Sequence, residues 1–350
     1  MPIVEYTPKY FEDVSELASQ VPGPMNLAHR PFVDYYYASQ ERCRLYLYYS
    51  ETGKIIGTLG RELAPFLLGS RDLTVRIATN WYSLQRGIGG ELYQYSAQAN
   101  PNSVGLMFSG SQTTLSILRH HNWIFISGIR GYFLNYTCHD SPADAWWRRA
   151  SKSILRRVVR RKIPAFASRL PPRAVSEIAV REEGEYSADL LPSRSPFLFR
   201  LAAGASYLGW RYNLSLSFVR YRLFRILVRG KSAGYVILSD WPQKIVVAHC
   251  DAEDPVALAY GTLLSILEAG REDTGPRMVY LTCSHLEMCK IFRKFGFWRE
   301  PGGSLPFAFR TPPPGLDLAA DTSQWLVNFD WGDNGVRPPF LDQPGADPSR

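Results

Sequence analysis

Cysteine is scarce and never grouped. Cys43, Cys138, Cys250, Cys283 and Cys289 are scattered through 350 residues, odd in number, with no C-x-x-C and no histidine pair at ligand spacing. That argues against a disulfide framework and against a zinc site, and leaves buried thiols as the expectation. No run approaches the roughly 18 uninterrupted apolar residues of a membrane span. The start, Met1-Pro-Ile-Val-Glu-Tyr6, lacks a basic stretch followed by an apolar one, so the reading is a cytoplasmic chain. G-x-S-x-G, H-E-x-x-H and G-x-x-x-x-G-K-[ST] are all missing, which weighs against hydrolase, metalloprotease and nucleotidase chemistry. Negative charge is missing from one segment: residues 145–173 hold ten Lys or Arg and no acid, so the net charge of +8 leaves −2 for the rest. One basic stretch between near-neutral halves points to a surface helix or linker rather than to a nucleic-acid face.

What is present is an ordinary globular composition, 45% apolar and 21% charged, over a length that suits two domains, each able to bury a core. Residues 72–99 hold the clearest local pattern. Leu73, Val75 and Ile77 alternate with Thr74 and Arg76, the period of a half-buried strand. The run breaks at Gln85-Arg86-Gly87-Ile88-Gly89-Gly90, and Ile88, Leu92, Tyr95 and Ala99 then follow helical spacing. A glycine turn there can present bare amides at a helix start, where the dipole favours an anion such as a pyrophosphate.

The same reading extends along both halves. The first gives strands 2–7, 43–50, 55–63, 72–81, 103–108, 123–128 and 131–137, with helices 8–20, 27–40, 88–99 and 110–121. The second gives strands 174–181, 221–229, 233–239, 244–251, 277–283, 295–300 and 305–310, helices 255–270 and 285–294, and two helical stretches within 184–204. Two segments repeat between them. Gly53-Lys-Ile-Ile-Gly57 matches Gly230-Lys-Ser-Ala-Gly234, and Ile117-Leu-Arg-His-His-Asn-Trp123 matches Ile291-Phe-Arg-Lys-Phe-Gly-Phe297.

These patterns, with Leu208-Gly-Trp-Arg-Tyr212 and Trp325-Leu-Val-Asn-Phe-Asp-Trp-Gly-Asp333, carry a family resemblance. Each half resembles the GCN5-related N-acetyltransferase (GNAT) fold. The pair resembles the tandem GNAT-like proteins of bacterial surface-polysaccharide clusters, over most of residues 1–331. The resemblance implies an α/β (α+β) fold of two tandem domains, each a mixed, mostly antiparallel twisted sheet flanked by helices. Its bounds are a first domain at 1–140 with the acetyl-CoA turn, a basic amphipathic linker helix at 141–173, a degenerate second domain at 174–331, and a loose tail at 332–350. In that fold a turn of pattern Arg/Gln-x-x-Gly-x-Gly/Ala cradles the pyrophosphate of coenzyme A. Gly87, Ile88 and Gly89 fall on its glycine positions, while its first position falls on Leu84, leaving Gln85 and Arg86 as polar contributors. Gly90 completes the turn, and Ser109 and Ser111, at the next strand-to-helix junction, are expected to help hold the cosubstrate. Acetyl-CoA or another acyl-CoA is the implied cosubstrate, without a metal. The corresponding stretch of the second half, 255–262, has no glycine pair.

Acyl transfer needs a proton for the departing thiolate. The tyrosine that supplies it in many relatives corresponds here to Leu118 and Phe292. His249 and Asp251 share one face of strand 244–251 and are the candidate catalytic pair, whereas His120 and His121 read as cations closing a helix C-terminus. The expected function is N- or O-acetylation of a sugar or related amine or hydroxyl in cell-surface polysaccharide or glycolipid biosynthesis. Two alternatives stand beside it: a Fem-type aminoacyl transferase, and a non-catalytic GNAT-like binding module. Expected partners are a small-molecule or glycan acceptor and, through the basic face of residues 146–163, the anionic inner face of a membrane, with nucleic acid disfavoured.

Overall fold

Among the described residues an eight-stranded and a seven-stranded sheet organise the chain. The computed structural model describes residues 3–21, 26–38, 42–108, 110, 112–134, 177–242, 244–271, 277–300, 305–310 and 322–331. The linker 141–173, Ser109, Ser111, Cys138 and the tail 332–350 lie outside the described residues. The first half runs β1 (Ile3–Glu5), α1 (Phe11–Gln20), α2 (Arg30–Tyr37), β2 (Cys43–Tyr49), β3 (Ile55–Leu68), β4 (Arg71–Ser83), α3 (Ile88–Gln98), β5 (Val104–Phe108), α4 (Gln112–His120), β6 (Ile124–Phe125) and β7 (Arg130–Leu134). The second runs β8 (Ile178–Glu183), β9 (Phe199–Leu201), α5 (Ala205–Arg211), β10 (Tyr221–Val228), β11 (Lys231–Asp240) and β12 (Lys244–Ala252). It continues with α6 (Pro255–Ala269), β13 (Met278–Cys283), α7 (Leu286–Lys294), β14 (Trp298–Arg299) and β15 (Phe307–Phe309). Among the described residues no helix is long and apolar enough to cross a membrane.

The repeat is visible in backbone geometry. Gly53 and Gly230 turn equivalent hairpins with φ of 76° and 78°. Asn122 and Gly296 both take positive φ at the ends of α4 and α7, where Trp123 N donates to Leu118 O at 3.0 Å and Phe297 N to Phe292 O at 3.1 Å. Both ends are thus closed by the same left-handed cap, the conformation that glycine and asparagine tolerate best.

One sheet has the order β1-β2-β3-β4-β5-β15-β6, with β9 also pairing β3, and the other β14-β7-β13-β12-β11-β10-β8. Among the described residues every strand pairing is antiparallel except β4 with β5 and β12 with β13, and a lone parallel bridge joins Phe199 to Trp325. The expected mixed, mostly antiparallel sheets are therefore present. The last strands of the two halves are exchanged: β7 of the first half pairs β13 (Leu134 opposite Val279), and β15 of the second half pairs β5 (Phe307 opposite Phe108). The alternation of 131–137 reads only as a strand and cannot say which of two equivalent sheet positions it fills.

Other expectations change. Residues 184–204 form a 3₁₀ turn at Ala188–Leu190 and strand β9 rather than two helical stretches. Pro192 and Pro196 interrupt the helical run, and Phe199–Leu201 finds the free edge of the β3–β4 hairpin. The buried stripe of α3 is Ile88, Leu92, Tyr93 and Ser96, not Tyr95 and Ala99.

One apolar core cluster crosses both halves, running from Leu45 and Val75 through Leu223 to Trp325 and Trp331. Tyr35 and Tyr36 on α2 donate to the carbonyls of Trp210 and Arg211 at 2.7 and 3.0 Å, tying α2 to α5. At its centre lies buried charge. Arg211 Nε pairs with Glu62 Oε1 at 3.1 Å, Tyr207 donates to the same carboxylate, and Arg211 Nη2 donates to Asp330 O at 3.3 Å. One carboxylate already compensates Arg211, so burial raises the Asp330 carboxyl to about 7 against the lowering pull of that arginine.

An unfolded aspartate titrates near 3.9. Folded Asp330 keeps its proton where the unfolded chain has lost it, so its contribution to stability fades as pH rises from about 4 through about 7. Asp330→Asn removes the titration with little change of shape. Denaturant unfolding should show the variant gaining on the wild type between about pH 4 and about pH 8, whereas a pH-independent difference would contradict this account.

Candidate functional site: an exposed glycine bend in one half and a filled split in the other

The parallel ladder between β4 and β5 holds only from Val75–Ile77 to Val104–Leu106, although β4 runs on to Ser83 and β5 to Phe108. Beyond it β4 carries a bulge. Thr58 faces Tyr82 and Gly60 faces Thr79, so Asn80 and Trp81 oppose Leu59 alone. Asn80 takes φ of 44°, unusual for a non-glycine residue. Its neighbours hold it there: Asn80 Nδ2 donates to Tyr37 Oη at 2.6 Å, Thr58 Oγ1 donates to Asn80 O at 3.0 Å, and Tyr37 Oη lies 3.1 Å from Thr79 Oγ1. Gly60 is required opposite, because a Cβ would overlap Thr79 Oγ1 and stand 2.9 Å from Thr79 O.

After Ser83 the chain turns through Leu84–Gly87, all exposed, into α3. Gly87 has φ of 95°, and a Cβ there would meet nothing within 4 Å. The amides of Gly90 and Glu91 bond back to Gly87 O at 2.9 and 3.2 Å. Those of Arg86, Gly87, Ile88 and Gly89 have no hydrogen-bond partner among the described residues. Trp81 Nε1 donates to Gly89 O at 3.1 Å and its indole stacks on Tyr93 at 5.6 Å, pinning the first turn of α3 to β4. Gly89 permits that approach, since a Cβ would lie 3.0 Å from Trp81 Nε1. Four unpaired amides and the positive end of an 11-residue helix make a cradle for a diphosphate, so the residues present fit the group expected there.

The second half repeats the geometry and closes it. The ladder between β12 and β13 holds only from Lys244–Val246 to Met278–Tyr280. Segment 325–331 enters the space beyond. Asn328 Oδ1 accepts from Cys250 N at 3.1 Å while its Nδ2 donates to Cys250 O at 3.2 Å. Thr282 Oγ1 donates to Val327 O and Ser284 Oγ to Trp325 O, both at 3.0 Å. What remains, lined by Val247, Cys250, Leu281, Cys283, Trp325 and Val327, is a cavity of about 10 Å³, room for about one water. The turn into α6 is acidic: Asp254 accepts from Ala257 N at 2.7 Å and Glu253 from Ser193 N at 3.0 Å. An anion would meet carboxylates there instead of free amides.

Gln85, Arg86, Gly87, Ile88, Gly89 and Gly90 are brought together at the open bend. His249 and Asp251 lie on β12 of the other sheet, both buried. His249 Nε2 is 3.0 Å from Tyr235 Oη and its ring stacks on Tyr212. Burial pushes this imidazole down to about 3, so it is neutral near pH 7. Asp251 pairs with Arg200 Nη1 at 2.6 Å and accepts from Ser195 Oγ at 3.1 Å, and burial raises its carboxyl to about 6. Leu118 and Phe292 are buried in α4 and α7. Sequence reasoning missed His121, whose Nε2 lies 3.9 Å from the Cβ position of Gly90, and missed Tyr37, Asn80 and Trp81 around the bulge. Among the described residues no cluster of three or more His, Cys, Asp or Glu could hold a metal.

No family model matches the chain, and no curated protein matches it. Solved structures do. N-myristoyltransferase of Saccharomyces cerevisiae with bound myristoyl-CoA superposes with a TM-score of 0.56 at 9% identity, covering 88% of this chain and 82% of that one. A GCN5-related N-acetyltransferase from Kribbella flavida gives 0.53 at 12% identity over 88% and 70%. A tandem GNAT protein from the clavulanic acid biosynthesis pathway gives 0.52 at 14% identity over 89% and 99%. At these identities the likeness establishes the fold: two GNAT-type sheets in tandem.

The clasp of Asn328 on Cys250 yields a stability prediction. Asn328→Ala leaves both polar groups of Cys250 buried without that partner and should lower the unfolding free energy by about 1–3 kcal/mol in denaturant titration. An unchanged midpoint would mean that segment 325–331 does not seal the split.

Proposed function

We propose that the protein is an acyl-CoA-dependent transferase whose first half holds the cosubstrate. In this reading the diphosphate meets the amides of Arg86–Gly89, with the Gln85 and Arg86 side chains beside it, and the acyl arm follows the end of the β4–β5 ladder toward the bulge at Asn80. The single observation that carries the reading is the asymmetry of the repeat: the turn after β4 is exposed with four unpaired amides, while the split of the second sheet is filled by residues 325–331. The acyl thioester supplies the activated carbonyl. An acceptor amine or hydroxyl attacks that carbon, the carbon–sulfur bond breaks, and the acceptor's proton ends on the thiolate sulfur. With Leu118 apolar and buried, that proton travels through water or directly rather than through a tyrosine at this position.

The acceptor we favour is a sugar amine or hydroxyl in cell-surface polysaccharide or glycolipid assembly, supported by the resemblance of the Trp210-Arg-Tyr212 and Trp325–Asp333 segments to tandem proteins of such clusters.

Isothermal titration with acetyl-CoA is the test. The wild type should bind, and Arg86→Glu, on an exposed residue, should weaken binding by roughly tenfold or more. Absence of heat up to about 1 mM ligand would remove the reading, and unchanged affinity in the variant would place the ligand elsewhere.

A further inference from the structure

Two arginines of the first sheet are buried without a carboxylate. Arg61 on β3 is 4% exposed and Arg76 on β4 is 5% exposed, and neither forms an ion pair among the described residues. Arg61 Nη1 donates to Asn100 Oδ1 at 2.6 Å, and its Nε has no partner. Glu5, which faces the same region, is taken by Arg44 at 2.5 Å. Arg76 is held loosely, its Nη1 reaching Ala97 O, Asn100 O and Ser103 Oγ at 3.5, 3.4 and 3.3 Å, with one shorter bond from Nη2 to Tyr93 Oη at 2.9 Å. Buried arginines are rarely left with neutral acceptors only, because desolvation of the charge is then uncompensated.

Arg76 opens into a cavity of about 480 Å³ beside the N-terminal end of β5, under the C-terminus of α3. Arg310, exposed and just past β15, stands on its rim, and its guanidinium and that of Arg76 lie 5.3 and 5.4 Å from the Tyr93 ring. Gln94, Gln98, Asn100 and Ser103 add polar side chains to the lining, and among the described residues no acid does. The volume is that of a small-molecule site, and guanidinium forks match phosphate oxygens in geometry and charge. The cavity lies on the β4–β5 ladder under the C-terminal half of α3, whereas the glycine bend is at the N-terminus of that helix, so it is a second place for an anion.

We infer that this cavity binds a small phosphate monoester, with the phosphate between Arg76 and Arg310 and the amide and hydroxyl side chains facing the ester's polar body. The proposal stands whether or not the bend takes acyl-CoA.

Calorimetric titration with inorganic phosphate and with glucose 6-phosphate, using glucose as the uncharged control, tests it. Both anions should bind and glucose should not. Arg310→Ala, on an exposed side chain, should weaken both by about tenfold or more, and that Arg310-dependent binding should persist in Arg86→Glu. Arg76→Lys keeps a charge but loses the fork, and should weaken phosphate as well. Phosphate binding lost in Arg86→Glu but kept in Arg310→Ala would assign the anion to the bend and overturn the inference. So would no binding at about 10 mM phosphate in the wild type.

Discussion

Asn328 grips both backbone polar groups of Cys250, standing where a neighbouring strand would otherwise pair with β12. The closing of the second split rests on that clasp. A parallel ladder that stops after three residue pairs leaves unpaired backbone on either side, and buried backbone must be satisfied by something. In the second sheet the chain's own segment 325–331 satisfies it, with Leu326 packed into that half's core, while the Trp325 and Trp331 rings pack on Phe199 and Phe307 of the first sheet. In the first sheet the equivalent region leads to an exposed glycine bend whose amides point to no protein group among the described residues. The two halves thus differ: the second split is filled by the chain itself, and the first leads to an exposed bend.

The filled split depends in turn on how the halves are joined. Exchange of β7 and β15 makes each sheet incomplete without the other half, and β9 adds a third crossing by pairing β3. Residues 325–331 lie where these crossings meet, with Leu326 N bonded to Phe199 O at 3.0 Å and Asp330 beside Arg211. The buried Glu62–Arg211 pair is costly to desolvate, and its geometry specifies how the halves meet more than it adds net stability. His249 and Asp251 belong to this joint, held by Tyr235, Tyr212, Arg200 and Ser195, which explains why ionisable residues sit there without opening to solvent.

Much of the fold was legible from periodicity. Strands β2–β5 and β10–β13, helices α3, α6 and α7, the glycine bend and both repeated segments appear where alternation and turn chemistry put them, within a few residues. What escaped has physical causes. Two final strands of equal character can pair with either sheet, so their exchange leaves no trace in alternation. Strand β9 has three residues, too few to show a period, and α5 has seven including Gly209. Arg76 sits at a polar position of an alternating strand and reads as solvent-facing, yet α3 and the 97–103 turn cover that face, so the cavity beneath it was invisible. His121 reads as a helix-end cation, and only the tertiary fold brings it beside Gly90.

Hydrogen exchange monitored by mass spectrometry, with and without saturating acetyl-CoA, tests the central asymmetry most directly. The account predicts protection on binding in peptides covering residues 80–91, with no change in those covering 250–258 and 325–331. Protection of 250–258 accompanied by loss of protection in 325–331 would mean that the ligand displaces the segment from the second split, and would contradict the assignment of the open site to the first half.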